Sequence, residues 1–149
     1  MGVSYPGVVQ SVYPALERIL PLVRKPIQYV GGELNASVKP WESVPVRWAL
    51  MYPDAYEVGL PNQGLQILYE VLNERDDVLA ERTYSVWPDM EALMREHGVP
   101  QFTVDAHRPV SAFDVLGVSF ATELGYTNLL TALDLAGIPL HADERTDEH

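Results

Sequence analysis

The chain has 149 residues, 47% of them apolar and 21% charged, which suits one globular domain with a single core. Its formal net charge of −11, with ten scattered Lys and Arg, opposes a phosphate backbone and argues against direct nucleic-acid binding. It has no cysteine, which excludes disulfides, thiolate nucleophiles, zinc ribbons and iron–sulfur ligation by its own side chains. No apolar run approaches the roughly 18 residues of a membrane span, and MGVSYPGVVQ at the N-terminus lacks the pattern of a signal peptide. A cytoplasmic location away from membranes is the expectation.

From about Ser11 to Arg24, the spacing of Val12, Leu16, Ile19, Leu20 and Val23 predicts an amphipathic helix. Pro14 lies in its first turn, and Pro21 ends or kinks it. The following KPIQYVGGELNASVKPWESVP has no period and reads as an irregular connector. A boundary is expected near residue 45, with an N-terminal helix and connector over 1–45 and an α/β unit over 46–149.

Beyond it, strand-like and helix-like blocks alternate. Val46 to Tyr52 is an apolar run bounded by prolines, as in a buried strand. Pro61 suits a helix start, and Leu65, Leu68, Tyr69 and Leu72 form one stripe. Arg82 to Trp87 reads as a second strand, followed by a helix from Pro88 that carries Met90, Leu93, Met94 and His97 and stops at Gly98. Val99 to Val104 is demoted by Pro100 to an edge strand or connector. Asp114 to Phe120 is a third strand. A last helix is expected with Thr122 as cap, Tyr126, Leu129, Leu130 and Leu133 on one face, and Gly137 and Pro139 at its end.

This order predicts an α/β fold, a flavodoxin-like or Rossmann-like three-layer parallel sheet with right-handed crossovers. Only three to four strands are legible before the acidic tail ADERTDEH, so the sheet is expected to be incomplete and the chain a fragment. An uncovered edge at residues 114–120 would then self-associate or be covered by the N-terminal segment.

In parallel sheets, ligands lie beyond the carboxyl ends of the strands. The loop MYPDAYEVGLPNQG follows the first strand and offers Asp54 and Glu57 as acceptors, with Gly59 and Gly64 allowing close backbone approach and a helix start from Asn62 to Gly64. The competing reading is a long turn in which Asp54 bonds its own backbone. The loop after the third strand offers Thr122, Glu123 and Asn128, against simple helix capping. Neither GxGxxG nor a Walker sequence is present. Asp105-Ala-His107 approaches the Asp-x-His-x-x-Gly cobalt-ligating signature, but Val110 stands at the glycine position, which leaves it a surface loop. His97 fits a helix C-terminus better than a metal site, and His141 and His149 lie in the tail without ligand spacing. No catalytic residue and no metal ligand is assigned.

Three strings carry a family resemblance: ALMYPDAYEVGLPNQGLQILYEVLN from Ala49, AERTYSVWPDMEALMREHGVPQFTVDAHRPV from Ala80, and DVLGVSFATELGYTNLLTALDLAGIPL from Asp114. They make the chain similar to the N-terminal, cobalamin-binding-like domain of a bacterial family of radical S-adenosylmethionine proteins. The resemblance implies a parent with a C-terminal barrel, the partner of this domain, whose Cys-x-x-x-Cys-x-x-Cys run holds a 4Fe-4S cluster that cleaves S-adenosylmethionine. It further implies an accessory role here, placing a corrinoid or substrate near that radical centre. Asp54, Tyr56, Glu57, Gly59, Asn62, Gly64, Thr122, Glu123 and Tyr126 would line the corrin-facing edge. The rival reading is a non-catalytic docking module without cofactor.

Overall fold

The computed structural model of the protein describes residues 9–146; the N-terminal stretch read for targeting and the tail residue His149 fall at least partly outside them. Among the described residues, three parallel strands form one sheet in the order β2-β1-β3. They are β1 (Val46–Ala55), β2 (Val78–Ser85) and β3 (Val115–Val118). The fold is thus the expected α/β parallel arrangement. Val46 aligns with Val78 and Tyr52 with Tyr84 on one side of β1, while Trp48 aligns with Val115 and Met51 with Val118 on the other. β1 is central, so Ala49, Leu50 and Met51 are almost completely buried. A register break between Tyr52 and Ala55, beside Pro53, ends regular pairing and turns the chain outward.

The first connection holds a single turn, α2 (Tyr56–Gly59), then α3 (Gln63–Asn73). Asn62 caps α3 by accepting the Leu65 N–H at 2.9 Å through its side chain. Leu65 and Tyr69 are buried against the sheet, but Leu68, expected on the same stripe, is half exposed. The reason is lateral: α3 leans toward β2, leaving an apolar groove of about 370 Å³ lined by Trp48, Leu50, Leu68, Val71 and Gly117.

β2 begins at Val78, four residues before the expected start, and ends at Ser85 rather than Trp87. α4 (Pro88–His97) follows, with Pro88 in its first turn and Gly98 as its left-handed stop. Residues 99–109 form a strap along β2's outer edge instead of a strand, with one bridge between Phe102 and Pro109. The Val104 N–H donates to the Arg82 carbonyl at 2.8 Å, and Thr83 Oγ1 donates to the Phe102 carbonyl at 2.7 Å. Side chains thus occupy an edge that a ladder would otherwise fill.

α1 (Tyr13–Ile19) runs into a 3-10 turn at Leu20–Leu22, where Pro21 breaks the α pattern. Its apolar face does not stand apart: Leu16, Ile19, Leu20 and Val23 share a core cluster with Met90, Met94 and Phe102. β3 pairs only with β1 and has no second strand neighbour among the described residues. The last helix, α5 (Gly125–Ala136), starts later than expected. Thr122 does not cap it with its side chain, and Tyr126 and Leu130 are exposed while Ala132, Leu133 and Ala136 are buried.

Candidate functional site

The strand order places β2 and β3 on opposite sides of β1, so the chain changes winding direction between β1 and β3. The crevice beyond their carboxyl ends is the usual ligand position of such sheets. There the two loops meet. The Ser119 N–H donates to the Met51 carbonyl at 2.9 Å, and Asn128 Nδ2 donates to the Pro53 carbonyl at 3.0 Å. Gly125 packs so tightly that an added Cβ would lie 2.8 Å from Pro53 Cγ. Tyr52, Pro53 and Asp54 face Ala121, Thr122 and Gly125 across a shallow cleft of about 10 Å³. Exposed Phe120 and Tyr126 lie beside it with rings tilted 40° to each other and centroids 4.8 Å apart.

The nine candidate residues divide between two places. Asp54, Thr122, Glu123 and Tyr126 belong to this rim, the last three exposed. Asp54 Oδ1 accepts the Ala55 N–H at 2.7 Å, the turn bond that sequence reading allowed as an alternative. The remaining five lie on the β2 side. The Tyr56 hydroxyl donates to the Glu33 carboxylate, and its ring meets Tyr84 edge-on at 5.5 Å. Burial, with the Glu33 contact, pushes the Tyr56 phenol well above its ordinary range, keeping it a neutral donor. Glu57 is exposed and pairs with Lys25 at 2.8 Å, which holds its carboxyl below the ordinary value. Gly59 is a packing glycine: a Cβ there would meet the Tyr84 ring at 2.5 Å. Asn62 caps α3, and Gly64 lies exposed in its first turn.

Asp105 and His107, expected in a surface loop, are buried instead. The Asp105 side chain is 2% exposed and pairs with Arg82 at 2.6 Å. His107 adopts a φ of 54° and contacts the Tyr29 carbonyl through Nε2 at 2.8 Å. Burial lowers its pKa. This ring is committed to the fold and is not placed to ligate a cobalt ion. Among the described residues no group of three or more His, Cys, Asp or Glu is arranged to hold a metal ion, and no helix is long and apolar enough to cross a membrane.

Sequence reasoning missed a second polar cluster on the same edge, made by Gln28, Ser85 and Gln101 with Tyr84. Its available signal was Gln101 itself, an amide inside the otherwise apolar run Val99 to Val104.

A family model described as "Radical SAM proteins, N-terminal" matches residues 64–149, more than half of the chain. The chain belongs to this radical SAM N-terminal family. The match takes in α3, β2, α4, β3 and α5, including the second rim loop. Neither a comparison with curated proteins nor one with solved structures found a significant match. A radical SAM family implies a 4Fe-4S cluster and S-adenosylmethionine in the parent protein. A cluster needs thiolates, and this chain has no cysteine, so its residues do not fit that group. For a corrinoid, the rim offers carboxylate and hydroxyl partners for amide groups but no free imidazole for the metal.

Proposed function

We propose that this radical SAM N-terminal domain is an accessory unit that positions a corrinoid or substrate near the radical centre of its parent. The observation that carries this reading is the junction of the β1 and β3 loops at the strand-order reversal, fixed by Asn128 on the Pro53 carbonyl. Asp54, Thr122 and Glu123 accept hydrogen bonds from the ligand's polar periphery, and the Phe120–Tyr126 pair offers an aromatic surface beside them. Tyr56, Glu57, Gly59, Asn62 and Gly64 contribute the adjoining flank. The 4Fe-4S chemistry and S-adenosylmethionine belong to the parent's C-terminal radical SAM domain, which is the proposed partner. Titration of the parent protein with hydroxocobalamin tests this: a shift of the corrin absorption bands, reduced by Asp54→Ala with Thr122→Ala, is expected. Unchanged bands at high ligand concentration remove the corrinoid reading.

A second reading, a docking module without cofactor, is favoured by the bare β3 edge and the 370 Å³ apolar groove beside it. It predicts unchanged corrin bands together with tight association between this chain and a separately produced C-terminal part.

A further inference from the structure

Five buried side-chain atoms make no well-formed hydrogen bond among the described residues: Nε2 and Oε1 of Gln28, the Tyr84 hydroxyl, Ser85 Oγ and Gln101 Oε1; the Gln28 side chain also lies close enough to the Glu57 carboxylate to help hold it ionised. They are not scattered. All four residues line one narrow, largely enclosed pocket of about 10 Å³ at the carboxyl end of β2, walled in part by Tyr56 and Phe102. Gln28 and Gln101 are each 1% exposed and Tyr84 is 4% exposed. The Gln101 amide cannot turn away, because its Nε2 already donates to Thr83 Oγ1 at 2.9 Å and to the Tyr84 carbonyl at 2.8 Å. Its Oε1 is therefore left buried without a protein donor.

A water molecule needs roughly 10–15 Å³ of this kind of space and two to four polar partners. The cavity meets both demands. Two amide oxygens, on Gln28 and Gln101, accept; two hydroxyls, on Tyr84 and Ser85, donate. The pattern complements a molecule with two donors and two lone pairs. It is also a neutral site: burial holds the Tyr84 phenol well above its ordinary range, so it remains a hydroxyl, while Glu57 and Arg82 nearby are paired with Lys25 and Asp105. The wall residues are amides and hydroxyls, and the one carboxylate beside them, Glu57 against Gln28, is already paired with Lys25, so the donor set suits no metal cation.

We propose that this cavity is a binding site for one neutral, water-sized hydrogen-bonding molecule, in solution a resident water, which joins the N-terminal segment to β2 through Gln28. Gln28 is the only member of the four that precedes β1, so the bound molecule bridges two parts of the chain far apart in sequence. Ser85 and Gln101 also line a larger crevice of about 150 Å³ between α4 and α5, next to Asn128. The site thus adjoins the candidate rim without depending on any ligand bound there.

The test is water-to-amide NOE spectroscopy on the ¹⁵N-labelled full chain, with thermal unfolding of Gln28→Met and Ser85→Ala. Long-lived water cross-peaks to the Gln28 side-chain amide are expected, weakened in Ser85→Ala, which removes one partner of the bound molecule and keeps the reporting amide. Each variant should melt a few degrees lower, since the resident molecule loses a partner. Absence of the cross-peaks in the unsubstituted chain overturns the proposal. So does a Gln28→Met variant that melts at or above the parent temperature, because a dry cavity gains when an unpaired amide is removed.

Discussion

Arg82 on β2 and Asp105 on the strap form a two-pronged ion pair, with Nη2 to Oδ1 at 2.6 Å and Nε to Oδ2 at 3.3 Å. Both side chains are at least nine-tenths buried, 4% and 2% exposed. Asp105 Oδ2 also accepts the Arg82 backbone N–H at 2.6 Å, standing in for a missing neighbouring strand. The guanidinium lies 4.2 Å from the centre of the Tyr69 ring. Removing one partner leaves an uncompensated buried charge. Asp105→Ala is expected to lower stability by about 3–5 kcal/mol, read as a shift in the urea midpoint. A loss below about 1 kcal/mol, typical of a surface pair, would contradict the assigned burial.

Gly31 and Gly32 both have positive φ, 67° and 83°, but only the first touches the strap. A Cβ at Gly31 would overlap the Val104 carbonyl oxygen, whereas one at Gly32 meets nothing within 4 Å. Gly32→Ala should therefore cost only the left-handed backbone, about 1–2 kcal/mol. Gly31→Ala adds an overlap with rigid backbone, and a total of about 2–5 kcal/mol follows from the two effects. Comparing the two melting temperatures isolates the contact between connector and strap.

How legible this was depended on whether local residues or distant ones decided each element. Proline and glycine mark β1 and α4 openly: Pro45 precedes the strand and Pro53 marks where its regular pairing ends, and Pro88 and Gly98 bound the helix. The part of β2 before Arg82 was hidden because Glu81 looks like a solvent-facing charge, as Arg82 itself does. They are buried only through pairing, Glu81 with Arg108 and Thr103, and Arg82 with Asp105. Burial still pushes the Glu81 carboxyl up against those partners' pull. The rim was legible as a topological consequence of strand order, which fixes where strand ends lie. The division of its candidate residues was not, because the break at Tyr52–Ala55 sends Tyr56 to Gly59 toward Tyr84 rather than toward Thr122. Thr122 failed as a cap because Gly125, pressed on Pro53, sets where α5 begins.

His107 supplies a pH dependence whose sign follows from its surroundings. Its ring is packed against Tyr13 and Phe102, bonds the Tyr29 carbonyl, and feels the Asp105 charge, which favours protonation. Burial is the larger effect and lowers its pKa below the ordinary 6.5. Below pH 6.5 the unfolded chain therefore takes up a proton that the folded chain resists, so this residue makes stability fall with falling pH, down to the folded pKa. His107→Asn keeps a residue type that tolerates the positive φ and removes the titration. The variant should show a shallower loss of melting temperature between about pH 7 and pH 5 than the parent; parallel profiles would count against the assignment.

Asn128 is the side chain that clamps the two rim loops, and its effect should be separable from ligand contact. Losing its bond to the Pro53 carbonyl should cost about 1 kcal/mol in Asn128→Ala. Asn128→Asp should cost at least as much, since a carboxylate cannot donate to that carbonyl. If the rim holds a ligand, both variants weaken binding by loosening the loops, whereas Thr122→Ala weakens it without a change in melting temperature. Paired thermal scans and corrin titrations on the same variants check the distinction.

The exposed side of β3 carries the last prediction. Parallel strands are normally covered on both faces and paired on both edges. Among the described residues β3 has one strand neighbour, its residues are all only partly buried, and apolar grooves flank it, one with α3 and one of about 280 Å³ toward α5. Val118 lines both grooves. The N-terminal helix packs on α4 and the strap, and the connector reaches α3 through Ser37 and Lys39 and Phe113 through Trp41, but no described residue before β1 lines either groove. The isolated chain should therefore associate with itself through β3 as its concentration rises. Val118→Lys places a charge on the shared border of the two grooves, where it should suppress association while altering the monomer's stability little, because the position is partly exposed already. Light scattering coupled to size exclusion, at several loading concentrations, distinguishes the cases. A parent chain that stays monomeric throughout, or a lysine variant that associates equally well, would show that β3 is not the contact.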